Sequence, residues 1–198
     1  MRRLLLSTFV CLPLAAAPLA AQDPTITDRT PAFHAGQWAA EVSLETWNYG
    51  IGALRFTSPN TAWTLNGVLS GIRSKNGPSF DATHLSLGIG LEAGKRFYRP
   101  GHGRIRPFRT IGGFASLGLG RDAAPSAPTY TTRDFGIGIF GDLGASVFVA
   151  PELSLSAKWR ASVGASWERG YVDGNLSATA RSFGLSAGGM TLFGTFYF

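Results

Sequence analysis

Residues 153–163 read Leu-Ser-Leu-Ser-Ala-Lys-Trp-Arg-Ala-Ser-Val. Leu153, Leu155, Ala157, Trp159, Ala161 and Val163 fall on one parity. Ser154, Ser156, Lys158, Arg160 and Ser162 fall on the other. Period two is the signature of a β-strand with one apolar face. The two bases in mid-strand decide what that face packs against. A soluble sandwich or barrel hides its apolar face in a core. A barrel in lipid turns that face outward and confines groups such as Lys158 and Arg160 in its interior.

The same alternation recurs along the chain. Between Gln37 and Thr46 the apolar set is Trp38, Ala40, Val42 and Leu44. Leu85, Leu87, Ile89 and Leu91 alternate with His84, Ser86, Gly88, Gly90 and Glu92. Phe135, Ile137 and Ile139 alternate with Gly136 and Gly138. Eight strands are expected, at 36–46, 50–58, 61–72, 82–96, 105–119, 134–149, 153–166 and 181–197. Turn chemistry at Ser58-Pro59-Asn60, Arg99–Gly103 and Ala150-Pro151-Glu152 alternates with longer polar stretches. The stretches 73–81, 121–133 and 167–180 read as long loops on one side. A Gly188-Gly189 pair between Phe183/Leu185 and Met190/Leu192 reads as a β-bulge.

Three features favour the outward apolar face. Charge lies on the polar face in mid-strand, and the residues expected in a lumen network are Glu41, Glu45, Arg55, Glu92, Arg109, Asp142, Lys158 and Arg160. Glycines share that face, which suits a narrow eight-stranded interior filled by long side chains. Aromatic residues near strand ends are expected to form interfacial girdles: Trp38, Trp47, Tyr49, Trp63, Phe97, Tyr98, Phe108, Trp167 and Tyr171. The chain also stops on Phe196-Tyr197-Phe198, an exposed aromatic strand that a soluble domain avoids.

Composition narrows the rest. The chain has 198 residues with 15% charged, 12% aromatic and 26 glycines, against about 25% charged in an ordinary soluble domain. Disorder is excluded, since it goes with few aromatics and many charges. Met1-Arg2-Arg3, the apolar run Leu4–Leu19 and the small residues Ala20-Ala21 read as a secretory signal peptide over 1–21. Residues 22–35 read as a flexible leader and 36–198 as the barrel. The one cysteine, Cys11, falls in the expected signal, so a disulfide scaffold is excluded. Removing Arg2 and Arg3 from 18 bases leaves 16 against 12 acids, too weak an excess for a nucleic-acid binder. His34, His84 and His102 are isolated, so no metal site and no cofactor is expected.

A signal peptide, eight alternating strands and a terminal Phe together resemble the small outer-membrane β-barrels of the OmpA/OmpX type. Tyr98-Arg99-Pro100 to Arg106-Pro107-Phe108 and Ser58–Ala62 resemble the periplasmic turns of the outer membrane protein β-barrel domain family. The resemblance covers about residues 36–198. It implies an eight-stranded antiparallel up-and-down transmembrane β-barrel in the outer membrane. It implies a terminal strand read by the barrel-assembly machinery through Phe196 and Phe198. No peptidoglycan-binding domain follows the barrel sequence, so no cell-wall tether is expected.

A lumen filled by side chains is no open pore. The expected role is therefore structural or surface-interacting and non-catalytic, in a monomer. Arg73, Lys75, Arg121, Arg133, Arg169 and Arg181 are candidates to contact lipopolysaccharide phosphates, with ordinary solvated loop charge as the alternative. The alternatives are a lipid A-modifying enzyme using His84 and Ser86, a narrow gated channel, and a soluble ligand-binding barrel. His84 and Ser86 are expected to face inward, with no acid opposite them.

Overall fold

The computed structural model describes residues 33–44, 48–75, 83–100, 104–124 and 127–198. The expected signal peptide and most of the leader, with Glu45, Trp47 and residues 76–81, lie outside the described residues. Eight strands form one closed antiparallel barrel in chain order. They are β1 Trp38–Leu44, β2 Asn48–Ser58, β3 Thr61–Lys75, β4 Thr83–Tyr98, β5 Ile105–Ala124, β6 Ala127–Ala150, β7 Leu153–Val172 and β8 Asn175–Tyr197. β1 closes the ring against β8, with Ala39 opposite Tyr197 and Leu44 opposite Leu192.

Following partners once round from Val42 gives Ile51, Gly67, Leu91, Ala115, Ile137, Ala165 and Phe183. The direct partner of Val42 on β8 is Gly194, eleven residues further along. That stagger is the shear a closed barrel requires, and it tilts every strand. The register slips between Trp159 and Ala161 opposite the Gly188-Gly189 pair, whose φ angles are +129° and +90°. The bulge keeps Phe183, Leu185, Met190 and Leu192 all on the outer face.

The apolar parity faces outward. Ile51, Leu87, Leu91, Ile111, Leu117, Ile139, Leu143 and Leu155 are each half or more exposed. The opposite parity faces a lumen. A large apolar exterior around a polar interior is the arrangement of a membrane barrel.

Two differences from the sequence expectation have physical causes. First, the strands run well past the expected ends, so 121–133 and 167–180 are mostly ladder. β5 reaches Ala124, β6 restarts at Ala127, and Asp173-Gly174 alone separate β7 from β8. Polarity there marks strands that have left the apolar zone, where neither face needs a hydrophobic residue. Second, the lower end of the lumen, beside the Ser58–Thr61 turn and the C-terminus, is aromatic. Phe33, Phe56, Tyr98, Phe108, Phe148, Phe193 and Tyr197 are buried there in one cluster. Phe33 stacks 4.3 Å from Phe56 and 5.2 Å from Tyr197. Tyr98 and Phe108, expected in the outer girdle, are therefore lumen residues, on the parity of Arg96 and Arg106.

Candidate functional site

The lumen above the aromatic cluster is crossed by two tiers of ion pairs. In the lower tier Arg96 Nη1 donates to Glu41 Oε2 at 2.7 Å, and Nη2 to Oε1 at 3.2 Å. This is a bidentate fork, the strongest form of such a pair. Arg96 is 1% exposed. Its guanidinium lies over the rings of Phe108 and Phe193, 4.7 and 5.1 Å away. Thr195 Oγ1 also donates to Glu41.

The upper tier centres on Arg160. Its Nε donates to Asp142 Oδ1 at 2.7 Å and its Nη2 to Oδ2 at 3.1 Å. Both terminal nitrogens donate to Glu92, and the ring of Phe140 lies 4.1 Å below the guanidinium. Lys158 Nζ lies 3.4 Å from Asp142 Oδ2. Across both tiers Glu41, Glu92 and Asp142 meet Arg96, Lys158 and Arg160, so three charges of each sign balance. Balance of this kind is what confined charges require.

Of the expected network, Glu41, Glu92, Asp142, Lys158 and Arg160 lie in the lumen, while Glu45 is outside the described residues. Arg55 and Arg109 face outward, and the expectation for them is corrected. Arg55 shares the parity of Ile51 and lies over the Trp38 ring at 5.5 Å. Arg109 shares the parity of Ile111 and lies over Phe97 at 5.5 Å. Sequence reading missed Arg96, although its spacing of four from Glu92 places it on the lumen face. It missed Arg106 as well, which lies over the Phe33 ring at 5.5 Å.

Above Arg160 the lumen widens into a cavity of about 400 Å³ lined by Val68, Ser70, Ser86, Phe114, Ser116 and Asp134. His84 and Ser86 do face inward here. An acid does sit opposite, against expectation: Asp122 on β5 is the direct partner of His84, with Nδ1 2.5 Å from Oδ1. Among the described residues no hydrogen bond joins His84 to Ser86.

Charge on the outer face has one sign. All six carboxylates on the described strands, Glu41, Glu92, Asp122, Asp134, Asp142 and Glu168, have lumen parity. The outward charges are bases in two bands. The lower band is Arg55, Lys95 and Arg109, each over an aromatic ring of Trp38, Trp63 or Phe97. The upper band is Arg73, Arg121, Arg133, Arg169 and Arg181. Arg133 is paired directly with Arg169, and Arg73 and Arg121 both oppose Leu85. Lys75 follows at the end of β3. Arg109 and Arg121 are twelve residues apart on β5. That is about 40 Å along a strand and about 30 Å across a membrane at the usual tilt. The two bands thus bracket a hydrocarbon layer of about 30 Å. Phe196 and Phe198 lie on the lipid side, with ring centroids 6.2 Å apart.

No protein-family model matches the chain. No curated protein matches it either. Among solved structures it is similar to a major outer membrane protein of Thermus thermophilus, with TM-score 0.59 and 10% identity over 83% of this chain and all of that one. It is also similar to Neisserial surface protein A, with TM-score 0.43 and 14% identity over 82% of this chain and 94% of that one. A third is the attachment invasion locus protein Ail of Yersinia pestis, with TM-score 0.31 and 11% identity over 81% and 93%. The likeness to the Thermus protein shows a shared eight-stranded barrel fold.

Proposed function

We propose that this chain is an outer-membrane barrel with a non-catalytic, structural and surface-interacting role. Its upper arginine band binds lipopolysaccharide phosphates. One observation carries the reading: the outer face of the described strands bears bases only, and two of them, Arg133 and Arg169, are direct cross-strand partners. Like charges placed opposite each other destabilise a sheet unless something neutralises them. Arginine forks match phosphate geometry, and phosphates of the outer leaflet lie at the height of this band. The lumen tiers and aromatic plug brace the interior and block flow. Phe196 and Phe198 present the terminal strand to the barrel-assembly machinery, and the barrel works as a monomer.

The test is a lipopolysaccharide pull-down with purified barrel. The triple variant Arg121→Gln/Arg133→Gln/Arg169→Gln is expected to retain roughly a tenth of wild-type binding or less. Unchanged binding overturns the reading.

A further inference from the structure

The barrel wall is not equally tall all round. β1 ends at Leu44, opposite Leu192, and β2 begins at Asn48, opposite Ser70. β8 continues upward from Leu192 to Asn175, and β3 continues to Lys75. Among the described residues nothing pairs with β8 on that side above Leu192. The step lies below the arginine band, beside the lipid layer. It leaves a side opening between β8 and β3 as wide as the two missing strands, about 14 Å.

Three observations mark the opening and its path inward. Phe183 and Leu185 on the β8 bank are 78% and 80% exposed, the highest of the described large hydrophobic residues. Gly164 and Gly184 are cross-strand partners facing the lumen. A Cβ on Gly164 would stand 3.2 Å from the Phe114 ring, whereas one on Gly184 meets nothing within 4 Å. A void of about 260 Å³ at the foot of the opening is lined by Ser43, Asn66, Gly188 and Gly189 and reaches Lys158 and Arg160. The bare backbone groups of the β8 edge are tolerated at membrane depth where they border a polar cavity such as this void.

The two banks carry the chemistry of one occupant. Arg181 on the β8 bank and Arg73 on the β3 bank both have outward parity at the level of the arginine band. Below them lie Phe183 and Leu185 on one side and Leu69 on the other. A phosphate between the two guanidiniums places an acyl chain along these side chains. Val68 and Ile72 continue the apolar path on the lumen side.

We propose that this opening is a seat for one lipopolysaccharide molecule, its phosphate held by Arg73 and Arg181 and one acyl chain lodged between β8 and β3. The proposal rests on the reading of the arginine band as the outer-leaflet boundary. It adds a defined site that the band alone does not require.

The test places a benzophenone on the full chain at Ser186→Cys, on the lumen face of the β8 bank, in a Cys11→Ser background. The folded protein is irradiated in phosphatidylcholine vesicles containing lipid A, in vesicles containing phosphatidylglycerol instead, and in phosphatidylcholine alone. A lipid A adduct is expected, falling roughly tenfold in Arg73→Gln/Arg181→Gln. The same label with Gly184→Trp, which fills the opening without touching either arginine, should lose the adduct too. Equal adducts in all three membranes, an equal phosphatidylglycerol adduct, or a cross-link to a second copy overturns the proposal. So does a lipid A adduct indifferent to both variants. The pull-down with Arg121, Arg133 and Arg169 replaced fails or succeeds separately, so loss of the seat and loss of the band reading are distinguishable.

Discussion

Arg133 on β6 and Arg169 on β7 are direct cross-strand partners on the outer face, with no carboxylate on that face of any described strand. Arg133 also lies over the Tyr171 ring at 5.3 Å. Removing one charge relieves repulsion when no anion is present. Arg169→Gln is therefore expected to be as stable as the wild type, or slightly more so, in a zwitterionic detergent. In lipid A-containing vesicles it should become the less stable protein. Denaturant unfolding in the two media checks the reversal. The same order in both media removes the phosphate from the explanation.

Glu41 and Arg96 make the opposite kind of pair, 3% and 1% exposed and joined by two hydrogen bonds. Breaking a buried pair strands a charge at a cost of about 3–5 kcal/mol. Glu41→Ala should thus lower unfolding stability by about that amount. Replacing both partners, Glu41→Leu with Arg96→Met, should cost much less, because no charge is left behind. Heat-modifiability on a gel and urea titration read both. Equal loss in the two variants shows that packing around Phe108 and Phe193, rather than charge, sets the stability.

The lumen glycines divide by available space. A Cβ on Gly138 would collide with the Val163 carbonyl and stand 2.7 Å from the Phe114 ring, whereas Gly184 faces open space. Gly138→Val is expected to prevent barrel closure, seen as loss of the compact form on an unheated gel. Gly184→Val should close normally. A folded Gly138→Val shows that the Val163 carbonyl can shift and that Phe114 can swing aside.

Much of this architecture is legible in the sequence, and what is not has a reason. Eight strands and the outward apolar face follow from alternation such as that of Leu153–Val163. A count of two from Ile51 and Ile111 also reaches Arg55 and Arg109, so their outward parity was available. Mid-strand position alone does not separate a lumen charge from an outward one, whereas parity does. Tyr98 and Phe108 were not readable: an aromatic residue near a strand end suits an interfacial girdle and a lumen plug equally. The low wall at β1 and β2 was hidden for a different reason. It arises from register summed round the ring, where Val42 opposes Gly194 rather than Phe183, and no local pattern encodes that sum.

Plugging predicts electrical silence. Arg160 bonded to Asp142 and Glu92, with Phe140 beneath it, sits above the Arg96–Glu41 tier and the ring cluster round Phe33. An ion would have to break both tiers and then cross the rings. Wild-type protein in a planar bilayer should show no steady current. Glu92→Ala should stay silent as well, since it opens the upper tier alone. A steady wild-type current altered by Glu92→Ala supports the channel alternative and displaces the plug.

Asp122, His84 and Ser86 look at first like the parts of a hydrolase. The imidazole is anchored by Asp122 at 2.5 Å. Ser86 lies two residues along on the same face, and among the described residues no hydrogen bond joins it to His84, so a proton transfer between them would need one side chain to move. Both side chains also face the lumen, whereas Leu85 and Leu87 face lipid. An ester in the outer leaflet would reach them only through the opening between β8 and β3. The His84–Asp122 contact instead ties β4 to β5 where the apolar zone has ended. Purified barrel incubated with lipid A is therefore expected to release no acyl chain, and Ser86→Ala should change nothing. His84→Ala should loosen the upper end of the β4–β5 ladder, seen as faster amide exchange near Thr83 and Ala123. Acyl release that disappears in Ser86→Ala would make this pair an active site reached from within the lumen.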